Sequence, residues 1–69
     1  MNLAYEEGQK RYEQELKQFC FQELEPMYKQ SGGDETACVE HLNHIFGRQL
    51  KMWGLNAADV YKEWKDLQR

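Results

Sequence analysis

Sixty-nine residues, 41% apolar and 30% charged with nine aromatic side chains, are the size and composition of one small globular domain rather than a disordered chain. Twelve acids against nine bases leave a net charge of −3 spread over both halves. Neither a nucleic-acid-binding basic face nor a dense acidic tract results. A chain this short buries only ~60% of the surface its unfolded form exposes, so its stability margin is small.

No run approaches the ~20 apolar residues of a membrane span. The start, Met1 to Glu7, turns acidic at once and lacks the basic-then-apolar order of a signal peptide. The expectation is a soluble cytoplasmic protein with Cys20 and Cys38 reduced.

The first segment, about residues 2–30, has helical periodicity. At 100° per residue, Tyr5, Tyr12, Leu16, Phe19, Cys20 and Met27 fall on one stripe roughly 100° wide. Glu6–Lys10, Glu7–Arg11, Glu13–Lys17 and Glu25–Lys29 have the acid-first i,i+4 spacing that supports an exposed helix. Pro26 cannot donate to Gln22 and disfavours helical angles at Glu25, which predicts a kink or break there. Gly32 and Gly33 follow in a loop.

The second segment runs from about residue 35 to 53, with Asp34 as its N-cap and Gly54 as its stop. Cys38, Val39, Leu42, Ile45, Phe46, Leu50, Met52 and Trp53 cover an arc of roughly 160°, which predicts the most buried helix. The third, about 57–68, has Asn56 as N-cap and a stripe of Ala57, Val60, Tyr61, Trp64 and Leu67. No run alternates as a half-buried strand does. The fold expected is a single all-α domain over 1–69, a small three-helix bundle with a long first helix.

Chemistry finds few footholds. Cys38, His41 and His44 are three apart, and Cys20 could complete a Cys2His2 zinc set. On the helix wheel the three fan across roughly 120° and do not converge, so a core cysteine with two surface histidines explains them better. A Cys20–Cys38 disulfide would tie the first two helices, and buried thiols fit equally well. There is no glycine-rich phosphate loop or nucleophile motif, and the expectation is no metal, no cofactor and no catalysis.

Gly54 between two helices also allows a helix-turn-helix, whose reading helix would carry Lys62, Lys65 and Arg69. Asp59, Glu63 and Asp66 on the same helix would flank phosphates.

The most informative feature lies in the first helix. Phe21, Leu24 and Tyr28 fall together, off the main stripe and on the side of Leu3, while Glu23 sits at the stripe's centre, where burial is costly. Either the helix changes phase near Pro26 and all of these apolar groups enter the core, or Phe21, Leu24 and Tyr28 form a second apolar face. In the second case Glu23, Glu25 and Lys29 give that face a polar rim, and its occupant is a protein partner or a symmetry mate.

These features together predict a non-catalytic protein-binding module, acting as an inhibitor, adaptor or small subunit, with a homodimer as a further arrangement. Its size and mild acidity are those of many small regulators encoded by phages and mobile elements. The alternative is a dimeric helix-turn-helix-like DNA-binding regulator.

Overall fold

The computed structural model describes the backbone of residues 3–68 and the side chains of residues 8–68. Three helices follow one another: α1 (Leu3–Ser31), α2 (Glu35–Met52) and α3 (Ala57–Leu67). They pack as the expected all-α bundle, with expected and observed helix ends within a residue of each other. The expectations for Leu3 and Tyr5, and for the pairs formed by Glu6 and Glu7, concern side chains outside the described residues, as does Arg69.

Local chemistry sets the helix boundaries. The Asp34 carboxylate accepts from the Ala37 N–H (3.3 Å) and caps α2, and the Asn56 side chain accepts from the Ala58 N–H (2.8 Å) and caps α3. Both α1 and α2 end in the same double hydrogen bond. Gly33 N–H reaches the Tyr28 carbonyl and Gly32 N–H that of Lys29; Leu55 N–H reaches Leu50 and Gly54 N–H reaches Lys51. That closure needs a left-handed residue, supplied by Gly32 and Gly54, each at φ +69°. Ser31 braces the first turn, accepting from the Asp34 N–H at 3.1 Å.

Pro26 does not break α1. The helix runs through it to Ser31, so of the kink or break expected there the break is absent. Pro26 and Gln22 are both exposed, so the Gln22 carbonyl that loses its intrahelical donor can turn to water.

The core comprises Leu16, Cys20 and Leu24 of α1, Cys38, Leu42 and Leu50 of α2, and Ala57, Val60, Tyr61 and Trp64 of α3. Phe21, Met27, Tyr28, Val39, Phe46, Trp53 and Leu55 pack around it, half-buried. Both cysteines are buried thiols with no disulfide.

The buried stripe of α1 therefore passes through Leu16, Cys20 and Leu24, roughly 50° around the helix from the one expected. Tyr12 and Phe19 are displaced to the surface, at 48% and 56% exposure. Glu23 lies at the edge of the core rather than in it, bonded to His41 at 3.3 Å. Two helices share the contact with α1, and the stripe they cover together is the one centred on Leu24. Lys17 reaches Glu63 of α3 at 3.1 Å, so a tertiary ion pair engages the lysine expected to pair with Glu13.

Candidate protein-docking surfaces

The five residues expected to form one partner-binding face are divided by the fold. Leu24 is fully buried in the core and belongs to no surface. Phe21 is half-buried and borders a hollow with Gln14, Lys17, Gln18, Glu63 and Leu67. Glu25, Tyr28 and Lys29 do come together, lining a 270 Å³ cleft with Trp64, Lys65 and Gln68 of α3 and its C-terminal end. A continuous face of Phe21, Leu24 and Tyr28 is thus absent, because α3 covers that side of α1.

Tyr28 is tied down within its cleft. Its ring meets that of Trp64 edge-on at 5.4 Å, and the Lys65 ammonium donates to its hydroxyl at 2.9 Å while lying 4.4 Å from the ring centroid. The cation and the aromatic edge hold α3 against the C-terminal half of α1.

A different face is left open by the helix order. Glu23 with His41, and Tyr12 stacked on Trp53 at 4.8 Å, fix α1 and α2 side by side and antiparallel. On α1 the outer side of this pair carries Tyr12 and Phe19, and on α2 it carries Ile45 and Met52. Met52 is 73% exposed and Ile45 39%. Four residues back from Glu23 is Phe19 and four on from His41 is Ile45; seven more lead to Tyr12 and Met52. The four large apolar side chains therefore lie at matched levels on the antiparallel pair. A hollow of 70 Å³ opens beside it, lined by Tyr12, Glu15, Leu16 and Phe19.

Sequence reasoning assigned these residues to the core. The signal that could have separated them was Glu23 itself: a carboxylate at the centre of the Tyr12–Phe19 stripe marks that stripe as the wet one. In α2, the width of the apolar arc carried the same message, since Ile45 and Met52 lie at its far edge.

The residues weighed as zinc ligands point apart. Cys38 is in the core with its sulfur 4.0 Å from Ser31 Oγ, His41 turns to Glu23, and His44 is exposed. Among the described residues no three His, Cys, Asp or Glu side chains gather as a metal site. No helix among them is long and apolar enough to cross a membrane. On α3, the candidate DNA-reading helix, Lys65 is engaged with Tyr28 and Glu63 with Lys17, while Asp59, Lys62 and Asp66 are exposed.

No protein-family model, curated protein or solved structure matches this chain.

Proposed function

We propose that this chain is a non-catalytic protein-binding module, an inhibitor, adaptor or small subunit, that docks through the open α1–α2 face. One observation carries this: Tyr12 and Phe19 of α1 and Ile45 and Met52 of α2, four large apolar side chains, stand exposed, and the antiparallel packing of the two helices brings them to matched levels. Apolar groups clustered on so small a surface mark an interaction site, and aromatic anchors with a charged rim are the usual anatomy of one. Glu15, Glu23, His41 and Arg48 supply that rim. The buried thiols Cys20 and Cys38 fit a reducing, cytoplasmic setting. The exposed side of α3 offers Asp59 and Asp66 against Lys62, a poor match to a phosphate backbone.

A photoreactive phenylalanine analogue placed at position 19 tests the assignment in cells. It should form protein adducts on irradiation, whereas the same group at Lys62 should not. Adducts only to nucleic acid, or none above the Lys62 control, would overturn it.

A further inference from the structure

We infer that the open α1–α2 face is occupied by a second copy of this chain, giving a two-fold dimer whose dyad runs along the helices. This rests on the docking-face assignment above and names the partner.

The charges beside the apolar groove select both the occupant and the axis. On α1 the charged residues nearest the groove are the acids Glu15 and Glu23, with Arg11 behind them; on α2 they are His41 and Arg48, with His44, Lys51 and Glu40 behind them. Glu23 and His41 stand at one level, Phe19 and Ile45 at the next. Tyr12 and Met52 form the last level, with Glu15 and Arg48 between them and the Phe19–Ile45 pair.

A dyad parallel to the helices keeps every residue at its own level and lays α1 of one copy over α2 of the other. Phe19 then faces Ile45 of the second copy, Tyr12 faces Met52, and Glu15 faces Arg48. Apolar groups meet apolar groups, acid meets base, and all neighbouring helices are antiparallel, as in an up-and-down four-helix bundle. The hollow between Tyr12 and Phe19 has room for about one small apolar group from the second copy. A dyad across the helices also makes facing helices antiparallel and differs in its charges. It lays α1 on α1 and, centred on Phe19, brings Glu15 against Glu23, a like-charge contact.

Sedimentation equilibrium of the full chain across micromolar to millimolar concentrations tests this. The wild type should show a dimer mass, and Phe19→Asp a monomer mass with unchanged helical circular dichroism. Glu15→Arg and Arg48→Glu should each weaken association roughly tenfold, and the two together should restore it. A wild type monomeric at every concentration overturns the dimer, as does a Phe19→Asp variant that still dimerises. Failure of the double swap to restore association overturns the axis. Loss of the dimer alone leaves the docking-face assignment standing, because photo-crosslinking at position 19 to a different protein decides that separately.

Discussion

Glu23 of α1 and His41 of α2 meet 3.3 Å apart, both partly exposed, at the line where the core ends and the open face begins. The pair costs little desolvation at this edge and gains little from water-screened attraction. His41→Ala should therefore lower the unfolding free energy by less than about 1 kcal/mol, measured by urea denaturation. A loss above about 2 kcal/mol would show that the pair is sealed from water and that the fold itself closes this face.

The rotation of the buried stripe separates two residues that composition does not. Leu24 is fully buried and Phe19 is 56% exposed. Leu24→Ala should cost about 2–5 kcal/mol, and Phe19→Ala about 0.5 kcal/mol or less in the monomer. Chemical denaturation of the two variants at low protein concentration gives the comparison. The opposite order would restore the stripe through Tyr12 and Phe19 as the core.

Pro26 sits inside an unbroken helix on its exposed side. Pro26→Ala returns a donor to the Gln22 carbonyl and should stabilise the fold by about 1–3 kcal/mol, seen as a higher melting temperature. Destabilisation instead would mean that the packing of Met27 and Tyr28 depends on a bend the proline imposes.

Burial holds the Cys20 thiol protonated, its pKa pushed up from 9.0 to about 11, and burial also raises that of Tyr61. An unfolded chain releases the Cys20 proton above pH 9 while the folded chain keeps it, so stability is complete below pH 9. It falls as pH rises towards about 11, by about 2 kcal/mol for Cys20 alone. Melting temperatures across pH 8–11 should decline less steeply for Cys20→Ala than for the wild type, from a lower starting value. Parallel profiles would assign the loss to other groups. At neutral pH the native Cys20 thiol should resist alkylation until the chain unfolds.

Much of the fold was written in short-range chemistry. Asp34, Asn56 and Gly54 announce their caps and stop through their own side chains or lack of one, and the α3 residues Ala57, Val60, Tyr61 and Trp64 are buried as their spacing implies, while Leu67 of the same stripe, in the last turn, is 65% exposed. The phase of α1 was not legible in the same way. That helix carries two apolar sets, Tyr12 with Phe19 and Leu24 with Phe21 and Tyr28, and only the positions of α2 and α3 decide which is covered. The expected site fared accordingly: Glu25, Tyr28 and Lys29 share a cleft, but Leu24 went to the core. The open face is a property of helix order in space, which no local pattern states. Glu23 and the width of the α2 arc were its traces.

The central claim is that this protein binds another protein chain through Phe19 and its neighbours. It is tested most directly by affinity capture of the tagged chain from nuclease-treated lysate of its source cells, with Phe19→Asp and Lys62→Ala alongside. We predict that the wild type and Lys62→Ala retain the same protein, a second copy of the chain included, and that Phe19→Asp loses it while keeping its helical circular dichroism. Equal recovery by all three, or recovery that vanishes with nuclease, would contradict the account.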